Sequence, residues 1–281
     1  MTLSPLPVKS MLSDHGLKPK KSLGQNFLVD ESYLERITIL AGLSGEEVVL
    51  EIGAGIGSLT RHLAEAACRV VAVELDQQLF PLLRKVMADY SNTDLIHGDI
   101  LELNPADLEL EPGYLVAANI PYYITSNLLR HLLESDPKPS RLVLTIQQEV
   151  TERICAQPGQ LSLLALSIQV YGSPKIGLRI PAGAFFPQPK VDSATLVMDL
   201  YPEPKIPVVL LNDFFTVIKS AFSQKRKMLY NTLKSLPGFN GEKVLNLLGR
   251  AGVDPHLRPQ ALDFPEWQCL AEAYHQSTGQ D

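Results

Sequence analysis

Three polar residues stand where short apolar runs end. Glu74 closes Arg69-Val-Val-Ala-Val-Glu74, Asp99 follows Asp94-Leu-Ile-His-Gly98, and Asn119 follows Tyr114-Leu-Val-Ala-Ala118. A carboxylate at position 74 can accept two hydrogen bonds at once, which suits a ribose diol better than a neutral side chain would. Asp99 can accept from the exocyclic amine of a purine. Each also has a plainer reading, Glu74 as a helix-capping or solvated acid and Asp99 as part of a Gly-Asp turn. The tetrad Asn119-Ile-Pro-Tyr122 is more specific. An adenine amine is a poor nucleophile because its lone pair is delocalised into the ring. The Asn119 side-chain oxygen and a nearby main-chain carbonyl can accept its two hydrogens and turn the lone pair toward an electrophile. Pro121 stiffens the turn, and Tyr122 offers a flat face on which a base can stack. The attacked nitrogen becomes acidic only after it has gained a methyl group, so no strong base is required and catalysis is mostly positioning.

These residues need a scaffold that brings strand ends together. Val48-Val-Leu-Glu-Ile52 is short, apolar and β-branched, and reads as a buried strand. Gly53, Gly55 and Gly57 then allow a tight turn and close approach to a ligand. Leu59, Leu63 and Ala66 continue at helical spacing, so a helix N-terminus faces the turn. A phosphate loop would end in Gly-Lys-Ser/Thr, but Gly57 is followed by Ser58 and Leu59. The dinucleotide fingerprint needs a glycine at position 58, which is Ser58. A nucleoside-like ligand without a pyrophosphate fits better, with Glu74 about twenty residues past Gly53, the usual separation for a ribose acid. Further strands are expected at 142–146 and 191–200, alternating with helical patterns, which predicts a doubly wound α/β sheet. The run 161–171 fits either helix or strand.

The chain has 281 residues, 45% apolar and 20% charged, as expected of a globular protein with a sizeable core. No apolar run approaches the ~18 residues that cross a bilayer, and the N-terminus lacks a signal-peptide core. A cytoplasmic protein without membrane association is expected. Three well-separated cysteines and six histidines show no metal-ligand spacing, so no metal is expected. The net charge of −6 argues against a nucleic-acid partner, but its distribution argues the other way. Phe214 to Gly241 contains no acid, yet it carries Lys219, Lys225, Arg226, Lys227 and Lys234. The organisation expected is an extended N-terminal arm (1–29), a domain holding the glycine turn (30–204), and an all-helical domain (205–281). The linker 201–207, with three prolines in seven residues, separates the last two.

Gly53-x-Gly-x-Gly57, Glu74, Gly98-Asp99 and Asn119-Ile-Pro-Tyr122 together resemble the S-adenosylmethionine-dependent class I methyltransferases that act on amino groups. Three more segments narrow the resemblance: Lys20-Lys-Ser-Leu-Gly-Gln-Asn-Phe-Leu-Val-Asp30, Phe185-Phe-Pro-Gln-Pro-Lys-Val-Asp-Ser193 and Ala221-Phe-Ser-Gln-Lys-Arg-Lys-Met-Leu229. From Lys20 to the final helix the chain is similar to the ribosomal RNA adenine dimethyltransferases, of the small-subunit (16S) type linked to kasugamycin sensitivity. The resemblance implies a Rossmann-like class I methyltransferase sheet with a small C-terminal all-helical domain. It implies an S-adenosylmethionine site, with S-adenosylhomocysteine as product. Asn26 and Leu28 would close over the cofactor, Gly53 and Gly55 would cradle its methionine end, Glu74 would hold its ribose and Asp99 its adenine.

Asn119 would touch the cofactor and orient the target amine, with Pro121 shaping the turn. Tyr122 and Phe186 would form aromatic walls around the target adenine, and Lys225, Arg226 and Lys227 would meet RNA phosphates. The implied reaction is N6,N6-dimethylation of two adjacent adenines in a hairpin loop near the 3′ end of 16S rRNA, in the small subunit or its precursor. A monomeric enzyme with a role in small-subunit biogenesis is expected. The segment Gln157-Pro-Gly-Gln-Leu-Ser162 is shorter than usual for the family, which bears on RNA contact. Two other readings remain: a large-subunit rRNA adenine methyltransferase of the macrolide-resistance type, and a non-catalytic RNA-binding assembly factor.

Overall fold

A computed structural model describes residues 3–224 and 226–279. The chain divides into two compact units, the first Met1–Thr151 with Pro174–Leu200 and the second Glu152–Ser173 with Tyr201–Asp281. The sequence suggests a single cut near 205. In the structure the segment Glu152–Ser173 also groups with the helical unit.

The first unit is built on strands β1 (Phe27–Leu28), β2 (Val48–Ile52), β3 (Arg69–Glu74), β4 (Thr93–His97), β5 (Leu115–Asn119), β6 (Arg141–Gln147), β7 (Gly172–Ile180), β8 (Phe185–Phe186) and β9 (Ser193–Leu200). Seven of them form a sheet in the order β4-β3-β2-β5-β6-β9-β7. Strands β2 to β6 run parallel, and β9 is antiparallel to β6. Chain order reverses between β2 and β5, which opens a crevice outside their carboxyl ends. Val49, Leu50, Val70, Val71, Val116, Ala117, Leu142 and Leu144 are all buried. That is why these strands read as continuous apolar runs rather than as alternating ones. The Rossmann-like class I sheet expected from the sequence is therefore present.

Helices α1 (Val8–Asp14), α2 (Glu31–Ala41), α3 (Ser58–Ala66), α4 (Phe80–Val86) and α5 (Thr125–Glu134) connect these strands or precede them. Helix α2 starts at an Asp30 N-cap, whose carboxylate accepts from the Ser32 amide at 3.0 Å, and ends at left-handed Gly42. It buries Leu34, Ile37 and Ala41 in one cluster with Leu59 and Leu63 of α3 and Val49, Val70 and Ala72 of the sheet. Each such aliphatic side chain contributes roughly 2 kcal/mol of burial.

The N-terminal segment is not extended throughout. Val8 and Leu12, one turn apart on α1, pack with Phe27, Ile56, Leu79 and Leu82. Strand β1 pairs antiparallel with β8. Glu31 gathers three more contacts, from Arg61 Nη2 at 3.0 Å, His62 Nε2 at 2.5 Å and the Leu6 amide at 3.3 Å, while Arg61 Nη1 donates to the Ser4 carbonyl. The arm is thus fixed by apolar contact on one side and by the partly buried Glu31 carboxylate on the other.

The second unit is helical. It contains α6 in part (Gln148–Ile154), α7 (Leu163–Gln169), α8 (Leu211–Ala221), α9 (Leu229–Thr232), α10 (Gly241–Ala251) and α11 (Phe264–Thr278). The ambiguous run 161–171 resolves as α7, capped by Ser162. Phe214, Val217, Val244, Leu247, Trp267 and Leu270 are buried. Helix α11 opens with a reciprocal capping box between Asp263 and Glu266. Among the described residues no helix is long and apolar enough to cross a membrane.

Candidate active site

One cleft of about 1080 Å³, its open mouth included, lies at the carboxyl ends of β2, β3 and β5. Gly53, Gly55, Glu74, Asp99, Asn119 and Tyr122 all line it. So do Pro121 and, from the arm, Asn26 and Leu28. Residues spread over almost a hundred positions of sequence meet here because parallel strands must all end on the same edge of the sheet.

The glycine turn is held by main-chain bonds: the Gly53 and Ala54 amides donate to the Val73 carbonyl at 2.8 and 3.2 Å. Gly53, Gly55 and Gly57 all have positive φ (77°, 61° and 93°), where an L side chain is strained. A Cβ on Gly55 would also sit 3.1 Å from the Phe27 ring. Glu74 ties the turn to the next strand. Its Oε2 accepts from the Gly55 amide and its Oε1 from the Asp76 amide, each at 2.7 Å. A carboxylate oxygen has two acceptor positions, so both oxygens can still receive a ligand hydroxyl. Burial pushes the Glu74 pKa up, against the pull of the two amides.

Asp99 serves its turn and the cleft together: Oδ1 accepts from the Leu101 amide at 2.9 Å, and the side chain lines the cavity. Asn119 ends β5 and lies beside Gly53, where a Cβ would stand 3.7 Å from the Asn119 carbonyl. Its Nδ2 donates to the Asn26 carbonyl at 2.9 Å. That bond takes one of the two Nδ2 hydrogens and fixes which way the amide faces, so that Oδ1, an acceptor, has no hydrogen-bond role in the turn. Tyr122 begins a short 3-10 turn (Tyr122–Ile124), with its phenol 2.8 Å from the Ser193 hydroxyl.

Two features of the cleft escape sequence reasoning. Glu51 lies inside the apolar strand β2, 1% exposed, and lines the cavity. Its Oε2 has no hydrogen-bond partner. Burial pushes its pKa up to about 8, with Thr60 offsetting part of the rise and the Glu74 charge adding to it. An acid in an otherwise apolar run was the available signal. The second feature is a clasp on the arm. Lys20 Nζ meets Asp76 Oδ1 at 2.7 Å, and Gln25 Nε2 donates to Asp76 Oδ2 at 2.9 Å. Burial opposes charge on Asp76, but these donors and the Gln78 amide prevail and hold its pKa below the usual carboxylate range.

Phe186 is not brought into the cleft lining. It lies in β8 opposite Phe27 and packs against the cluster around Val8 and Leu12. Arg226 and Lys227 are exposed in the helical unit, while Lys225 lies outside the described residues. Among the described residues no group of three or more His, Cys, Asp or Glu side chains is placed to hold a metal ion.

With buried acidic groups at one end and an amide acceptor beside an aromatic ring at the other, the cleft offers acceptors that a cation and a purine amine could use. Comparison with known proteins places the chain in a family. Residues 16–257 match the family described as ribosomal RNA adenine dimethylase. A protein named ribosomal RNA small subunit methyltransferase A from Dehalococcoides mccartyi is 39% identical over 95% of this chain and 92% of its own length. One of the same name from Clostridium botulinum is 38% identical, over 95% of this chain and 98% of its own. Among solved structures, the 23S rRNA methyltransferase ErmE is 27% identical with a TM-score of 0.72, covering 89% of this chain and all of that one. A dimethyladenosine transferase from Plasmodium falciparum shares the fold, with a TM-score of 0.76 at 23% identity over 89% of this chain and 97% of that one. With the match spanning both units and relatives aligned over almost their whole length, the chain belongs to the ribosomal RNA adenine dimethylase family.

Proposed function

We infer that this rRNA adenine dimethyltransferase binds S-adenosylmethionine in the cleft and dimethylates N6 of two adjacent adenines in a 3′-terminal hairpin loop of small-subunit rRNA. The observation that carries the reading is the Asn119 amide in the cleft, whose orientation is fixed by an Nδ2 bond to the arm and whose Oδ1 acceptor is left for a ligand. The residues fit the cofactor. Glu51 brings an unpartnered buried oxygen suited to an α-ammonium, the glycine turn leaves room for the methionine chain, and Glu74 has acceptor capacity for the ribose hydroxyls. Asp99 would take the amine of the cofactor's adenine. When bound, the cofactor supplies an electrophilic methyl group on a sulfonium centre.

The chain's own work is alignment. Asn119 Oδ1 accepts one hydrogen of the target amine and a main-chain carbonyl of the 119–121 turn takes the other, which turns the nitrogen lone pair toward the methyl group. Tyr122 stacks on the base, and Pro121 keeps the turn from yielding. After methylation the nitrogen carries an acidic proton that is lost to water. Loop adenines are already partly unstacked, so their entry requires little disruption. Arg226 and Lys227, with Lys225, would meet RNA phosphates. The reading extends to a monomer acting on 16S rRNA in the cytoplasm, in the small subunit or its precursor.

The small-subunit substrate is favoured over the large-subunit one because 38–39% identity to the former type exceeds 27% to ErmE. A purely structural RNA binder has no use for Glu51, Glu74, Asp99 and Asn119 around one cleft. Methyl transfer from labelled S-adenosylmethionine to small subunits lacking the modification tests the reading. The wild-type protein should incorporate label, and Asn119→Ala should lower the rate by about a hundredfold or more, the scale of losing one preorganised polar group at a reacting centre. No incorporation by the wild-type protein would overturn the proposal. Macrolide resistance conferred on a sensitive host would redirect it to the large subunit.

A further inference from the structure

The segment Phe185-Phe-Pro-Gln-Pro-Lys-Val-Asp-Ser193 ends in a serine to which the reaction as described gives no part. Ser193 has no solvent exposure, yet its hydroxyl reaches out of β9 to the Tyr122 phenol at 2.8 Å. The serine is itself held firmly. It pairs with Gln147 at the end of β6. Just before it, Asp192 accepts from the Ala182 amide through Oδ1 at 2.8 Å, and from the Gln148 amide through its carbonyl at 3.1 Å. Tyr122 depends on such an anchor because it stands on a 3-10 turn at the cavity rim rather than within a long helix. Its carbonyl accepts from the buried Thr125 hydroxyl at 3.1 Å, which holds the main chain but leaves the ring to be fixed at its far end.

We propose that Ser193 is a positioning residue that fixes the Tyr122 ring as a stacking surface for the target base, through its hydrogen bond to the phenol. The inference rests on the reading of Tyr122 as the stacking wall. A phenol anchored at its oxygen and at Cβ cannot swing about χ1. A hydrogen bond near the plane of the ring also resists rotation about the Cβ–Oη axis. The ring is therefore ordered before the base arrives, and stacking does not have to supply that ordering. The two motifs are 71 residues apart in sequence, so the bond also accounts for the serine at the end of the second motif.

Methyl-transfer kinetics on unmodified small subunits would test this with Ser193→Ala, Tyr122→Phe, their double variant, Ser193→Thr and Tyr122→Ala. Ser193→Ala and Tyr122→Phe should each lower kcat about three- to tenfold, the scale of one net hydrogen bond, while KM for S-adenosylmethionine stays unchanged. The double variant should be no slower than either single one, and Ser193→Thr, which keeps the hydroxyl, should recover most of the rate. Effects that multiply in the double variant would overturn the proposal. So would a rise in cofactor KM that parallels a fall in the thermal midpoint, the mark of a merely structural role. Wild-type kcat in Ser193→Ala beside a crippled Tyr122→Ala would overturn the role of Ser193 alone. Full activity in Tyr122→Ala would instead overturn the stacking reading.

Discussion

The two ends of the cleft are built from different materials. At the glycine end, positive-φ backbone and two buried carboxylates, Glu51 and Glu74, surround the space, and Glu74 is bonded directly to the turn. At the Asn119 end the groups are a neutral amide, a proline and a half-buried phenol, held by single hydrogen bonds to the arm and to β9. The difference fits what each end would do in the proposed function. A small cation that is always the same can be held by buried acidic groups, which its own charge helps to ionise, and by a rigid main chain, because it meets no competing shape. A base that must enter from an RNA loop and leave changed is better served by neutral groups, which orient it without holding the product. In the proposed function the acidic groups would thus serve the donor end and geometry the acceptor end.

Substitutions that stay on one side of this boundary would sharpen the contrast. The largest effect is expected from Gly55→Ala. A side chain at φ 61° is strained by about 1–2 kcal/mol, and the new Cβ would press on the Phe27 ring at 3.1 Å. Cofactor affinity by calorimetry should fall at least about tenfold, with affinity for RNA unchanged. An equal loss of RNA affinity would break the proposed division between the ends.

An intermediate effect is expected at Glu51, and it has a pH signature. Its carboxyl has a pKa of about 8 when folded, far above the ordinary value of 4.5. Between these values the native state holds a proton that the unfolded chain has lost, so stability contributed at this position falls as pH rises. Glu51→Gln, which cannot ionise, should therefore unfold at a higher temperature than wild type in the absence of cofactor. The gap should widen from pH 5 to pH 8 and reach on the order of a few kcal/mol at most. The same variant should bind S-adenosylmethionine more weakly. Thermal unfolding across this range is the measurement, and a gap that narrows with pH would contradict a buried neutral acid.

The smallest effect is expected at the clasp. Lys20 is partly exposed, so its pair with Asp76 is screened on one side. Lys20→Met should speed cofactor release by only a few fold in stopped-flow dissociation, with little change in kcat. A large fall in kcat would mean that the arm belongs to the acceptor end as much as to the donor end.

What the sequence made legible, and what it did not, divides along a physical line. The strand ends bearing Glu74, Asp99 and Asn119 could be read because a buried parallel strand is a run of apolar residues, and the first polar residue after it marks the edge of the sheet. Glu51 is hidden for the same reason: inside such a run it counts as strand. Ser193 and the Lys20–Asp76 pair depend on contacts across 71 and 56 residues, which local pattern does not carry. Strand β7, Gly-Ser-Pro-Lys-Ile-Gly-Leu-Arg-Ile180, looks like a loop because of Pro174 and its two glycines. Gly177 has a reason visible only in three dimensions, since a Cβ there would come within 2.8 Å of Leu40 and 3.0 Å of Thr195. Helix α1 is too short and too weakly capped to declare itself, and it owes its place to the packing of Val8 and Leu12.

The bond from Asn119 to the Asn26 carbonyl has a consequence for base choice. Were the amide free to turn over, the site could present a donor and welcome a carbonyl at the purine 6-position as readily as an amine. With Nδ2 committed to the arm, a guanine or a deaminated adenine would meet oxygen against oxygen, two acceptors with no hydrogen between them. Mismatched polar groups of this kind are rejected far more strongly than a poor apolar fit. In the proposed function the arm would therefore be a proofreader as well as a cover, because by fixing one amide it would tell an amine from a carbonyl before any methyl group moves.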